Sequence, residues 1–584
     1  MKSTSRAKQL SDILFLLGGI GIAVLFTTRY LMAFRLDDVL LMEWATKHPA
    51  LDAFDPILGQ IVNSVRPMYA LTAYALTHLA GWAHPFWWQL TLSVSLLIGI
   101  TFTGLTARYL AGWWFALQIS IGLYWIAFTA ILNVFFWYSD LTYGLELAFA
   151  APAWYFGLRG LYETRLKYWL LAMFFGSIAV LSKEPAFVLV HVVLIGSLAL
   201  DRHRVLSAWQ SKSKRVQWLA LGGYAVLALV TVYIILVSPT KSNRFYSFSS
   251  PDLGSVIRDR INYYSSIYLA VAPRVLLFFP IVYAAGSTFV RRRFSNKGIA
   301  VFLGITAASI VIAAVAFTNI LNALSITTFI FATLAVVPNP EMQRVRRLLP
   351  FLGCMLIASA ALLLTIQLVK TQLTEIAMLS IVLSGWAWCV WGEDFHVALH
   401  SPGLSHGSRR AILTVLVVGE SFSIFGFIPK LSRQEKILRE VRDVRQNANN
   451  ALTWASVNLP KDALFATTVY ALHGIDRLDL LTSKDDSTKL REQYTFAGGF
   501  VYHVFEILDR WDIRHAYLED TAMLPRVLTS MRETTGSYLF IQSGLDWSLF
   551  HGDAMHPKLL TARDSLVAQF TRGSYPCEIW LMSE

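Results

Sequence analysis

The sequence predicts a polytopic α-helical membrane protein that ends in a small soluble α/β domain. Three observations carry that class. Of the 584 residues, 55% are hydrophobic and only 15% are charged, with mean hydropathy +0.50, whereas a soluble chain carries about 25% charged residues. The apolar residues fall in runs of membrane-crossing length, about 20 residues for a helix through a ~30 Å hydrocarbon core. The basic residues gather in short clusters between those runs, as cytoplasmic loops do. The net charge of +12 therefore reflects membrane topology, and no nucleic-acid partner is expected.

Taken in order, the N-terminal Lys2, Arg6 and Lys8 precede a run from Ile13 to Phe34 without a small-residue cleavage site. This reads as a retained span with the N-terminus in the cytoplasm. The segment from Arg35 to Arg66 holds three basic and five acidic residues, so 35–85 is expected to be an exterior loop with surface helices. Arg66-Pro67-Met68 opens a run from Tyr69 to Trp82 that is short for a span and reads as an amphipathic helix on the outer membrane surface.

Spans then alternate: Phe86 to Thr106 inward, Trp113 to Leu132 outward, Leu141 to Leu158 inward, Tyr168 to Leu181 outward and Ala186 to Leu200 inward. That last span leads to a basic loop with Arg202, Arg204, Lys212, Lys214 and Arg215. Trp218 to Val237 leads out to a polar loop, Ser238 to Asn262. Tyr264 to Val290 returns to Arg291-Arg292-Arg293. Val301 to Phe317 pairs with Leu321 to Val337, Leu348 to Leu368 pairs with Ile376 to Trp391, and Ala411 to Ile428 exits. The total is about 13 transmembrane helices with every strongly basic loop inside, in the inner (plasma) membrane.

From Lys430 the composition becomes that of a soluble domain, so the chain divides into a membrane domain, 1–429, and a periplasmic or extracellular domain, 430–584. Gln434 to Asn449 reads as a charged connecting helix. Strand-like runs (Ala463 to Tyr470, Tyr538 to Gln542, Cys577 to Met582) alternate with helical patterns at Phe500 to Trp511 and Thr521 to Met531, the mark of an α/β domain. Cys577 is this domain's one cysteine, so it cannot form an internal disulfide. Its histidines lack HExxH spacing, and Gly498-Gly499 lacks a phosphate-loop context.

The topology collects Asp37, Asp38, Glu43, Arg66, Asp140, Lys183, Glu184, Lys241 and Arg244 at the outer face. Carboxylates beside cations at one interface can deprotonate a hydroxyl and neutralise a phosphate. Each signal also has a plainer reading. Asp37 and Asp38 can be solvated residues ending a span, and Lys183-Glu184 a charged hairpin tip capped by Pro185. Arg66 can simply start its helix, Asp140 and Glu146 can be a structural pair, and Lys241 and Arg244 can lie in a solvated loop.

Four short stretches carry a resemblance: Asp37-Asp38 after the first span, Arg66-Pro67-Met68, Ser139-Asp140-Leu141, and Leu181-Ser182-Lys183-Glu184. Together they resemble the GT-C class of membrane glycosyltransferases, which use polyprenyl-phosphate sugars. The likeness is to the branch of the protein O-mannosyltransferases and the bacterial aminoarabinose transferase relatives. It covers roughly Ile13 to Leu200. This chain departs from the family's His-Pro and Gly-Arg features before Asp140, carrying Asn133 and Trp137-Tyr138 instead, which bears on the sugar more than on the chemistry.

The resemblance implies an inverting transfer with an Asp37 or Asp38 general base. Lys183 and Arg66, with Arg244 and Lys241, would hold the donor phosphate, and Glu184, Asp140, Glu43 and Glu146 would support the substrates. The expected partners are a polyprenyl-phosphate-linked sugar, a glycan, lipid or protein acceptor, and the bilayer. A polyprenyl phosphate is a good leaving group, so no cofactor is required; a divalent cation (Mg or Mn) stays open. Two other classes compete. A lipid-linked sugar transporter or flippase needs charges at mid-membrane depth, whereas most ionisable residues here sit at span ends. An O-antigen-ligase-type transferase carries its main soluble part in a loop between spans.

Overall fold

The computed structural model describes residues 36–58, 60–61, 64–81, 85–112, 141–184, 186–237, 348–355, 428–468, 514–518, 524–542, 560–573 and 576–583. It also describes isolated helical positions at 21, 115–116, 119–120, 123, 357–358, 382, 385 and 388–389. In chain order the elements begin with α1 (Leu36–Lys47), a 3-10 turn (Ala50–Phe54), β1 (Gln60–Ile61), β2 (Ser64–Val65), α2 (Pro67–Ala80) and α3 (Pro85–Ala111). Next come α4 (Leu141–Glu163), α5 (Leu166–Ser182), α6 (Ala186–Leu200), α7 (Arg202–Gln210) and α8 (Lys214–Val237). After α9 (Ile428–Asn458) follow β3 (Leu464–Thr468), β4 (Arg514–Leu518), α10 (Leu524–Arg532), β5 (Ser537–Gln542), β6 (Ser565–Phe570) and β7 (Cys577–Leu581).

The chain divides into two units. One is Met1–Ile22, Val94–Asn133 and Thr142–Pro429; the other is Ala23–Ser93, Val134–Leu141 and Lys430–Glu584. The first unit is all helix among the described residues. Among the described residues, two helices are long and apolar enough to cross a membrane, α3 with 27 residues and α8 with 24, about 40 and 36 Å at 1.5 Å per residue. On α8, Trp218, Leu229 and Leu236 are 70%, 69% and 78% exposed. An apolar stripe of that kind is unfavourable in water and natural against lipid. The expected spans Tyr168 to Leu181 and Ala186 to Leu200 coincide with the shorter apolar helices α5 and α6.

Polar anchors tie these helices together. The Trp154 indole donates to the Leu189 carbonyl (3.2 Å), and that of Trp169 to the Ala220 carbonyl (3.0 Å). The His191 ring bridges the Tyr224 hydroxyl (2.9 Å) and Thr231 Oγ1 (2.8 Å), joining α6 to α8. At the α4–α5 turn, a Cβ on Gly160 would stand 2.8 Å from the Trp169 backbone nitrogen, so glycine permits the close approach.

The stretch read from sequence as a basic loop is corrected in part, because Arg202–Gln210 is helix α7. Its Val205, Leu206 and Trp209 recur at the i, i+1, i+4 spacing of one helical face, a pattern masked by the surrounding charge. The expected spans Ile13 to Phe34, Trp113 to Leu132, Tyr264 to Val290, Val301 to Phe317 and Leu321 to Val337 lie outside the described residues, save isolated positions. So does most of the last three spans.

In the second unit, α1 packs on α2, with the Trp44 indole donating to the Leu58 carbonyl at 2.6 Å. Helix α2 has Pro67 at its start and buries Tyr69, Ala70, Ala73, Leu76, Thr77 and Ala80, a stripe at helical spacing. Leu79 on the opposite side is 85% exposed. At 14 residues, about 21 Å, α2 is too short to cross a bilayer. Beyond it, the Asp55 carboxylate accepts the Leu58 and Ile57 N–H groups (2.9 and 2.7 Å), which hold its pKa below the usual range.

The C-terminal sheet has the order β4-β3-β5-β7-β6. Strands β4, β3 and β5 are parallel, and β7 and β6 are antiparallel additions. Alternation places Ala466, Leu539 and Ile541 against Leu528 and Met531 of α10. Phe465 and Phe540 stack at 5.9 Å between adjacent strands, as period-2 strands require. The register of edge strand β6 shifts between Leu566 and Ala568. Helix α9 joins the domain through Asn447, which donates to the Arg572 carbonyl (3.1 Å), and through the Arg572–Asp443 ion pair (3.1 Å).

Candidate active site

The first unit places its candidate residues at the corner between α5 and α6. Ser182 ends α5 and turns its hydroxyl back onto the Ile178 carbonyl (2.8 Å). Lys183 is extended (φ −160°, ψ 137°), and its N–H still reaches the Ala179 carbonyl at 3.1 Å. Its own carbonyl accepts the Ala186 N–H (3.1 Å), and that of Glu184 the Phe187 N–H (3.2 Å). Three residues, 183–185, thus connect the helices.

A corner this tight leaves its charged side chains little freedom, and here they are buried: Lys183 is 3% exposed and Glu184 7%. The Lys183 ammonium lies over the Tyr143 ring of α4, 2.8 Å from its centroid. Glu146 follows Tyr143 by three residues, which puts both on one side of α4, and it is fully buried. Gly99 of α3 backs this part of α4, since a Cβ there would stand 2.5 Å from a Leu147 side-chain carbon.

A cation out of water against an aromatic face is stabilised by the ring quadrupole and attracts anions strongly, because local screening is weak. Tyr143 was not among the expected site residues. The signal available was its spacing, three residues from both Asp140 and Glu146, but an aromatic residue in an apolar run reads first as core.

The second unit carries the other candidates. Asp37 and Asp38 are the second and third residues of α1; their side chains lie outside the described residues. A helix start favours acidic residues there through its N–H groups and dipole. Glu43 pairs with Lys47 one turn on, a local contact. Arg66 precedes α2, half-buried, and its carbonyl accepts the Ala70 N–H at 2.9 Å. Asp140, Lys241 and Arg244 lie outside the described residues. Lys183, Glu184 and Glu146 thus belong to one unit, while Asp37, Asp38, Glu43 and Arg66 belong to the other. Among the described residues, no group of three or more His, Cys, Asp or Glu side chains is placed to hold a metal ion.

No protein-family model matches this chain, and no curated protein matches it. Among solved structures it is similar to ArnT from Cupriavidus metallidurans bound to undecaprenyl phosphate, at 13% identity and TM-score 0.44, over 97% of each chain. It is also similar to the same protein in the apo state, at 17% identity and TM-score 0.39, over 98% of each chain. The likeness runs end to end and is too low to assign a family.

Proposed function

We propose that this protein is an integral membrane glycosyltransferase. It moves a sugar from a polyprenyl-phosphate donor to an acceptor hydroxyl at the outer face of the membrane. The observation that carries the reading is the burial of Lys183 and Glu184 at the α5–α6 corner. A hairpin tip that merely ended two spans would leave such charges in water, whereas here the corner holds the Lys183 ammonium on the Tyr143 ring. A lipid-borne phosphate at interface depth is an anion suited to such a cation.

In the reaction, a carboxylate of Asp37 or Asp38 takes the proton of the acceptor hydroxyl. The freed oxygen attacks the anomeric carbon from the face opposite the phosphate, so the configuration inverts. The bond from anomeric carbon to phosphate oxygen breaks, and polyprenyl phosphate leaves with the electron pair. Lys183, with Arg66, Lys241 and Arg244, offsets the charge that develops on that phosphate. Proton removal needs no metal in this scheme.

The test is transfer from a purified polyprenyl-phosphate sugar by the full-length protein in detergent. Asp37→Asn and Asp38→Asn change charge and basicity with little change of shape. At least one should lower turnover about 10²–10⁴-fold while donor binding stays within about threefold, allowing for the small change in neighbouring charge. Full turnover by both variants would sink the assignment of the base.

A further inference from the structure

At the opposite end of the first unit's helices is a cavity of 510 Å³, lined by α4 to α8. That volume falls within the roughly 300–1,000 Å³ of sites that hold small-molecule ligands. Its floor is Leu161, Trp169 and Leu194, all buried, and its mouth is formed by Ile195, Leu206 and Leu221, which are 47%, 45% and 56% exposed. Most polar groups at its wall are already used. The Trp169 indole is bonded to the Ala220 carbonyl, the Tyr224 hydroxyl to His191, and the Gln217 amide to the Trp209, Gln210 and Lys212 carbonyls. An apolar hole with an apolar, exposed mouth suits hydrocarbon and not water.

The chain bordering the mouth is basic. Lys212, Lys214 and Arg215 follow α7 and open α8, and Arg165 and Lys167 flank the α4–α5 turn, all of them exposed. Of the nearby carboxylates among the described residues, Glu163 is held by Arg159 (2.7 Å) and Arg165 (3.6 Å), and Asp201 precedes α7. We infer that this cavity binds one acyl chain of an anionic phospholipid from the cytoplasmic leaflet, with the headgroup against the Lys212–Arg215 turn. Basic rims above apolar clefts between spanning helices recognise acidic lipids by this combination of charge and burial. The site rests on the topology that puts these loops inside and does not depend on the transfer reaction.

The test is native mass spectrometry of the full chain after exhaustive delipidation, without donor or acceptor. It is titrated with dioleoyl phosphatidylglycerol, dioleoyl phosphatidylcholine or glycerol phosphate. The first phosphatidylglycerol adduct should form at about tenfold lower concentration than the phosphatidylcholine adduct, a difference of about 1.4 kcal/mol from the basic residues beside an acidic headgroup. Glycerol phosphate, lacking a chain, should add no mass.

Replacing Lys212, Lys214 and Arg215 together by Gln should bring the two lipids within about twofold, the residual scatter of unscreened charges elsewhere. Leu198→Trp, which fills the cavity, should weaken both lipids. If that variant misfolds, Leu221→Trp at the exposed mouth reads the same effect. Equal affinity of the wild type for the two lipids, an unaltered adduct in the filled variant, or a protein dimer in place of the adduct would each overturn the site. Loss of transfer in the Asp37 variant with the adduct intact would leave this site standing.

Discussion

Lys183 and Asp564 are both charged side chains withdrawn from water, at 3% and 8% exposed, and the fold surrounds them differently. Asp564 lies just before β6. Its carboxylate accepts Arg532 through two nitrogens (2.7 and 3.2 Å), the Thr561 N–H (2.7 Å), the Thr561 hydroxyl (3.0 Å) and the Ser583 N–H (3.1 Å). Burial alone would raise its pKa, but these donors outweigh burial and hold it at about 2. The carboxylate stitches α10, the β6 approach and the chain end together, so its burial is explained by architecture. Lys183 instead sits where two helices meet, its ammonium on an aromatic face. The comparison separates a charge buried under five donor contacts within one domain from one held on an aromatic face at a corner between two helices.

The largest expected effect tests that separation directly. Lys183→Gln should lower transfer about 10²-fold, the usual cost of losing one group that stabilises developing charge, with unchanged yield and thermal midpoint. Lys183→Arg should recover part of it, since a planar fork replaces a compact ammonium. A Gln variant as active as wild type would return Lys183 to the role of a hairpin ornament.

Asp564→Asn should do the reverse, leaving chemistry alone and costing about 2–3 kcal/mol of local stability, because Arg532 loses its charged partner. The readout is alkylation of Cys577, fully buried in β7 with a thiol pKa raised mainly by desolvation. Labelling of the Cys577 peptide in the intact protein should accelerate about 30- to 160-fold; an unchanged rate would deny Asp564 its structural role. The pH dependence has a definite sign. The folded pKa lies below the unfolded value near 3.8, so this stabilisation is complete above about pH 4 and is lost as pH falls toward 2.

The smallest effect concerns the ring beneath the ammonium. Tyr143→Phe keeps the face and should stay within about threefold of wild-type transfer, whereas Tyr143→Leu removes it and should cost about five- to thirtyfold, or about 1–2 kcal/mol. Equal activity of the Phe and Leu variants would show that the ring does no electrostatic service.

The helices were legible where residues of one character run on long enough to decide the matter. Ala186 to Leu200 coincides with α6, and α5 and α8 differ from their expected ranges only at the ends. Helix α7 was not legible, because its three-residue apolar face is interrupted by the charges that made the segment look like a loop. The position of Lys183-Glu184 at a corner followed from Pro185 and the flanking apolar runs. Their burial did not, since burial depends on partners far along the chain. Tyr143 is such a partner, 40 residues earlier, and no local pattern announces it. Asp37 and Asp38 show the limit from the other side, for adjacency in sequence puts both at the head of α1 without telling their roles apart.

The irregular register of β6 has a consequence for how the domain meets other copies of itself. An edge strand offers unpaired N–H and C=O groups to any passing extended chain, and a long flat one invites sheet-to-sheet joining. The shift between Leu566 and Ala568 breaks that rim, and Leu566 and Val567 are 44% and 38% exposed at the break. A bulge twists and interrupts the free edge, so a neighbouring copy meets a template that fails within a few residues. That makes the bulge a safeguard against the domain polymerising with its own kind.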